Sequence, residues 1–242
     1  MERFDGAARR PLPEPTVARL PLYLRVALES VRLGHPTISS EELARLAGVN
    51  AAKVRKDLSL LGSLGTRGTG YDAAQLAEAL DEILGAGRDW PVVLVGVGHL
   101  GRALINARGF LTGGYRLVGL VDTDPAILGE ELAGQRVTGF DELAHLLTDP
   151  PAIGVITTPA TAAQRAAEEL VALGARSILN FAPTVLELPQ GVRIRYVDLS
   201  IELQILSYHA ARPHGAEEVA PLASVGIEPV TAPSSTWLDS AP

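Results

Sequence analysis

Val92-Val-Leu-Val-Gly-Val-Gly-His-Leu-Gly101 is the stretch whose reading decides the fold. Four consecutive apolar residues suit a strand buried on both faces of a parallel sheet. Glycines at 96, 98 and 101 follow at once, and a helical apolar pattern runs over 100–110. In such a strand–turn–helix the first glycine permits the tight turn. The second lets the backbone approach a pyrophosphate, and the third lets helix and strand pack closely. The helix N-terminus then faces the phosphate charge. A lone G-x-G-x-x-G says little, but this one has its full context. Asp122 stands 21 residues past Gly101, at the end of the next strand candidate. A carboxylate there accepts hydrogen bonds from the adenosine ribose hydroxyls and repels a 2′-phosphate, so NAD(H) is expected over NADP(H). No arginine adjoins Asp122 in the chain to reverse that preference.

Downstream, strand candidates at 117–121, 153–157 and 177–179 alternate with helical patterns at 100–110, 140–147 and 160–173. Alternating β and α units imply an α/β fold, a Rossmann-type doubly wound parallel sheet. Ligands of such sheets bind at the carboxyl ends of the strands. The expected cofactor site is therefore Gly96, Val97, Gly98, His99, Leu100 and Gly101 with Asp122. Thr158-Pro159 and Asn180-Phe181, at two further strand ends, are placed near the nicotinamide half.

Upstream, the apolar spacing predicts a helix over 16–33, stopped by Gly34-His-Pro36. A second helix opens on Ser39 and Glu42, spaced as a capping box, and Gly48 ends it. Asn50 caps a third helix over 51–61. Val54, Leu58 and Leu61 share its core face. Ala52, Arg55, Lys56 and Ser59 fall on the opposite side with Lys53 beside them, as in the reading helix of a helix-turn-helix. Four glycines within 62–70 suit a hairpin wing whose tip carries Arg67, aimed at a minor groove. A further helix is expected over 71–84. Charge supports this division. Net charge is −7 overall, yet residues 1–71 hold 11 basic and 7 acidic groups, a net of +4, and residues 72–242 a net of −11. A basic module on an acidic body fits a nucleic-acid partner for the first part alone.

Near the end, 192–196 alternates like a strand and Asp198 caps a helix over 199–209. Leu199, Leu203 and Leu206 share one face, and Ile201, Ile205 and Tyr208 nearly the opposite one. Two apolar stripes mean burial on both sides, expected here between two subunits. The expected division is an arm at 1–15, a winged-helix domain at 16–88, a Rossmann domain at 89–197, a dimerisation helix at 198–212 and a disordered tail at 213–242. The absence of cysteine excludes thiolate metal sites and thiol catalysis. No signal-peptide core and no membrane-length apolar run are present, so the expected location is the cytoplasm. No acid/base pair stands near the expected nicotinamide, which makes the cofactor a signal rather than a reagent, with no catalytic residue. The rival reading is an NAD-dependent oxidoreductase whose N-terminal helices serve packing.

These segments together resemble the Rex family of redox-sensing repressors from about Arg19 to Tyr208. The resemblance is carried by Leu20-Pro-Leu-Tyr-Leu-Arg25, Val54-Arg-Lys-Asp-Leu-Ser59, Gly65-x-x-Gly-x-Gly-Tyr71, Gly96 to Gly101, Ile178-Leu-Asn-Phe-Ala-Pro183 and Val197-Asp-Leu-x-x-Glu-Leu-Gln204. It implies a homodimer with a domain-swapped C-terminal helix. It also implies binding to double-stranded operator DNA when NADH is scarce relative to NAD+, and release when NADH rises. By position, Arg55 and Lys56 would meet the major groove and Arg67 the minor groove, and Arg25 with Asp198 would form an interdomain switch pair. Many members carry tyrosine where this chain has Ala107. That departure bears on the switch contact and not on the fold.

Overall fold

The computed structural model describes residues 11–62, 64–66, 70–85, 88–107, 111 and 114–211. The expectations placed on residues 1–10, on the wing-tip Arg67 and on the tail at 213–242 lie outside them. The first half opens with two helices rather than one, α1 (Glu14–Val17) and α2 (Leu20–Arg32). Pro21 is the reason. A proline cannot supply a mid-helix amide, so it sits in the first turn of α2 and the helix restarts there. The arm shortens accordingly, since Leu12 packs on the core and Glu14 already opens α1.

Strand β1 (Thr37–Ile38) leads to α3 (Ser40–Ala47) and α4 (Ala51–Ser59). Ser39 and Asn50 cap these helices as the sequence predicts, accepting from the amides of Glu42 at 3.1 Å and Ala52 at 2.7 Å. Glu42 gives no reciprocal bond, so half of the capping box forms. Strands β2 (Gly65–Thr66) and β3 (Gly70–Asp72) pair antiparallel as the stem of the wing. β1 joins β3 to make a three-stranded sheet. Tyr71 and Asp72 thus belong to a strand, not to the following helix, and Asp72 caps α5 (Ala73–Leu84). Leu20, Tyr23, Leu43, Val54, Leu58, Leu61, Leu76 and Leu80 close one core between helices α2, α3, α4 and α5. Each such side chain contributes on the order of 1.5–3 kcal/mol.

The second half is built on β4 (Trp90–Val95), β5 (Tyr115–Val121), β6 (Glu131–Leu132), β7 (Gln135–Thr138), β8 (Ile153–Ile156), β9 (Ser177–Asn180) and β10 (Arg193–Tyr196). Their order is β10-β9-β8-β4-β5-β7-β6. All pairs are parallel except β6 with β7. Helices α6 (His99–Asn106), α7 (Phe140–Leu146) and α8 (Ala160–Ala172) connect them. Successive strands build outward from β4 one way through β5 and β7, and the other way through β8 and β9. A crevice therefore opens beyond the carboxyl ends of β4 and β8. β6 and β7 escape the sequence pattern because Glu131-Leu-Ala-Gly-Gln-Arg-Val-Thr138 is polar and short. Helix α6 stops at Asn106, and Ala107 is extended, with φ −69 and ψ 121. Helix α9 (Leu199–Ala210), capped by Asp198, contains no buried residue. No helix of the described residues is long and apolar enough to cross a membrane.

Candidate functional site

The crevice is assembled from the turn after β4. Gly96 takes φ +98, a left-handed conformation that side chains rarely adopt, and a Cβ there would lie 2.8 Å from the Thr157 carbonyl carbon and the Thr158 nitrogen. A Cβ on Gly101 would come within 2.1 Å of the Gly96 oxygen, so α6 can pack this close only without one. Gly98 differs from both. A Cβ there meets nothing within 4 Å, because its α-carbon faces open space. Behind the turn, Thr157 Oγ1 donates to the Gly96 oxygen at 2.6 Å and holds the loop to β8.

Two helices begin at this space, α6 after Gly98 and α8 after Pro159, and neither has a side-chain cap. Helices α3, α4, α5 and α9 all do. Open helix N-termini converging on one crevice suit an anion. The cavity is about 660 Å³ and is lined by Gly96, Val97, Gly98 and His99 on one wall and by Thr158 and Pro159 on another, with Asp122 at its end. Thr158 Oγ1 is buried with no partner, a polar atom left for a ligand. The Asp122 carboxylate accepts from the amides of Val97 at 2.6 Å, Thr123 at 2.7 Å and Asp124 at 3.0 Å. A carboxylate offers about four acceptor sites, so one remains. Open glycine, orphaned hydroxyl, unused helix amides and a terminal carboxylate together fit a dinucleotide.

Three of the expected cofactor residues are placed differently. Leu100 is exposed and its side chain does not line the cavity, so only its backbone counts. Asn180 is buried and spends its side chain on its own loop. Its Nδ2 donates to the oxygens of Ala182 and Thr184, both at 3.1 Å, and its Oδ1 accepts from the Ala182 amide at 2.9 Å. Phe181 packs against the core under β4 and β5. A strand-end position alone could not distinguish loop-holding from ligand-holding. Conversely, Phe140, Arg102 and Arg165 line the crevice without having been singled out. No arginine adjoins Asp122 along the chain, but Arg102 approaches it in space. The Val97 amide donates to Asp122 while the Val97 oxygen accepts from Arg102 Nε at 3.1 Å, so both side chains meet on one residue.

On the other half, Ala52, Lys53, Arg55, Lys56 and Ser59 all face solvent on α4, while Val54 and Leu58 are buried. Arg55 is held by Glu41 Oε1 at 2.7 Å and Ser40 Oγ at 3.0 Å. Lys53 and Lys56 have no ion pair among the described residues. The inner side holds a residue that the pattern did not single out. Asp57, 2% exposed, accepts from Thr16 Oγ1 at 2.9 Å, Arg19 Nε at 2.7 Å, Arg19 Nη2 at 2.8 Å and the Tyr23 hydroxyl at 2.8 Å. Burial pushes the Asp57 carboxyl up, but Arg19, Tyr23 and Thr16 outweigh it and hold the group below its ordinary value. Burial, then Asp57, pushes the Tyr23 hydroxyl up to about 12. A carboxylate three residues after Val54, on the apolar face, was the available signal. Arg25 is exposed on α2, and Asp198 Oδ1 accepts from Ser200 N at 2.9 Å and Ser200 Oγ at 2.6 Å, so the two are not paired within one chain.

Known proteins agree with both halves. Residues 11–59 match the family model "Putative DNA-binding protein N-terminus", and residues 87–184 match "CoA binding domain". The chain is 54% identical over 222 residues to the redox-sensing transcriptional repressor Rex of Streptomyces coelicolor, covering 89% of this chain and 86% of that one. This chain belongs to the Rex family. A Rex of Syntrophomonas wolfei is 42% identical over 83% of this chain and 96% of its own length. Among solved structures, RSP in complex with β-NAD+ and operator DNA superposes on this Rex-family chain with a TM-score of 0.76 at 31% identity, covering 83% of this chain and 93% of RSP. RSP in complex with β-NADH gives 0.74 at 30% identity, covering 83% and 95%. These relatives are named as repressors.

Proposed function

We propose that this Rex-family chain is a repressor that binds operator DNA as a homodimer when NADH/NAD+ is low and leaves it when NADH rises. One observation carries the reading: a single chain joins an open dinucleotide crevice to a capped, core-anchored helix with exposed cations. In this reading the backbone from Gly96 to Gly101, with Asp122, Thr158 and Pro159, holds the dinucleotide. Bound there, NADH and NAD+ differ by one positive charge and by ring planarity, and a ligand shifts a conformational equilibrium only through such differential affinity. On the DNA side, Ala52, Lys53, Arg55, Lys56 and Ser59 face the major groove and Arg67 the minor groove.

Helix α9 supports the dimer. Its large apolar side chains are 48–72% exposed on both faces. The same chain carries a cavity of about 1030 Å³ between Leu12 and Val17 on one side and Val92, Val155, Leu179 and Ile194 of the sheet on the other. In this reading the α9 of a second copy packs into this gap, and its Asp198 pairs with Arg25 as the switch. Position 107, where Ala107 ends α6, then contributes no hydroxyl to that switch. The domain boundaries read from the sequence, with the arm ending before Leu12, and a cytoplasmic site of action belong to the same proposal. The test is a gel shift on palindromic DNA with each nucleotide in turn. NADH is expected to release the DNA at concentrations where NAD+ does not; equal release by both overturns the redox reading.

A further inference from the structure

Among the described residues two arginines line the crevice, and each meets a carboxylate. Arg165 on α8 is 85% exposed and lies 3.9 Å from Glu169, one turn along the same helix. Arg102 on α6 is bound far more firmly. Its Nη1 and Nη2 donate to the two oxygens of Glu130 at 2.6 and 2.5 Å, and its Nε donates to the Val97 oxygen at 3.1 Å. All three guanidinium nitrogens are therefore engaged. Glu130 is itself anchored, its amide donating to the Ile127 oxygen at 3.1 Å and its oxygen accepting from the Val137 amide at 2.8 Å. The turn from Asp122 to Glu130 thus carries three carboxylates. Asp122, which follows β5, and Asp124 line the crevice, and Glu130 occupies the cation that stands beside them.

A guanidinium is the side chain best suited to grip a phosphate, through a planar fork that matches two oxygens at once. Here the fork is already filled. An extra phosphate on the adenosine ribose would meet the charge of Asp122, and the guanidinium beside that carboxylate has no free fork to offset it. To recruit Arg102 it would have to displace Glu130, leaving another carboxylate loose beside the phosphate. We infer that Glu130 is a specificity-determining residue, which keeps Arg102 from receiving a 2′-phosphate and so reserves the crevice for the unphosphorylated dinucleotide. This rests on the dinucleotide reading of the crevice given above. Reading the neighbours of Asp122 along the chain could not find it, because Arg102 and Glu130 are 28 residues apart.

The experiment is calorimetric titration of the full-length protein with NADH and with NADPH, for wild type, Glu130→Gln, Arg102→Gln and the double variant. Each is first checked for native circular dichroism. Freeing one partly solvated cation near the ribose raises the ratio of NADPH to NADH affinity by about threefold to tenfold in Glu130→Gln. The double variant returns the ratio to the wild-type value, since the gain is carried by Arg102. An unchanged ratio in Glu130→Gln, or a gain that survives in the double variant, overturns the assignment. Arg102→Gln supplies a check independent of the Glu130 variants. It leaves Glu130 unpaired beside the site and lowers the ratio, and a rise overturns the assignment equally. Wild-type protein that binds neither nucleotide is a different failure, which refutes the crevice reading itself.

Discussion

Replacing Asp57 by alanine tests how the DNA-facing helix is held. The change removes the acceptor of four hydrogen bonds and strands three donors around the vacated site. Tyr23 is 0% exposed and Thr16 3%, so neither finds water without local opening. The Arg19 side chain is 23% exposed and recovers part of its hydration. Breaking a buried, hydrogen-bonded pair by removing one partner costs about 3–5 kcal/mol, and the exposure of Arg19 places this case near about 3 kcal/mol. For a unit of this size that is a fall of roughly 12–24 °C in the melting temperature. The assay is thermal unfolding of the full chain, followed by operator titration at a temperature where both proteins are folded. A carboxyl held below its ordinary value stabilises fully above the unfolded pKa, near about 4, and the contribution is lost as pH falls through the folded value. Wild type should therefore lose part of its advantage over Asp57→Ala below that pH. A cost under about 1 kcal/mol, the worth of an exposed pair, would refute the reasoning, as would a difference between the two proteins that stays constant as the pH falls.

Four further outcomes follow from the geometry. Gly101→Ala forces a Cβ to within 2.1 Å of the Gly96 oxygen; it should destabilise by about 1–3 kcal/mol and abolish NADH binding in calorimetry. Lys56→Ala should weaken binding to operator and random DNA alike and lower the slope of log affinity against log salt by about 0.9, measured by fluorescence anisotropy. Leu203→Glu with Leu206→Glu should convert a dimer to a monomer in sedimentation, because both side chains are more than 60% exposed on one chain. Tyr23, raised to about 12, stabilises fully below its unfolded value near about 10. That contribution should vanish as pH rises through about 12, and Tyr23→Phe should lack this alkaline limb.

The parts legible in the sequence were those where one local rule acts alone. Apolar runs placed four of the seven strands of the large sheet, and alternation placed β10. Ser39, Asn50 and Asp198 cap helices by bonds that reach no further than three residues. The glycine turn is equally local, and its three positions have three different steric reasons. What escaped depends on residues far apart. Asp57 draws its donors from 34 to 41 residues away, and Arg102 its partner from 28. Asn180 sits at a strand end as a ligand-holding residue would, but the turn through Ala182 and Thr184 claims it. Pro21 was readable and outweighed by the apolar period, which runs unbroken through the join between α1 and α2.

A twelve-residue helix with no buried residue among those described stands at the edge of what persists alone in water, since isolated helices shorter than about 12–15 residues are marginal. In the dimer proposed above, a second copy supplies the order of α9, and mass action governs it. Diluting the protein should fray this segment before the two cores feel any change, so its circular dichroism would serve as a gauge of protomer concentration.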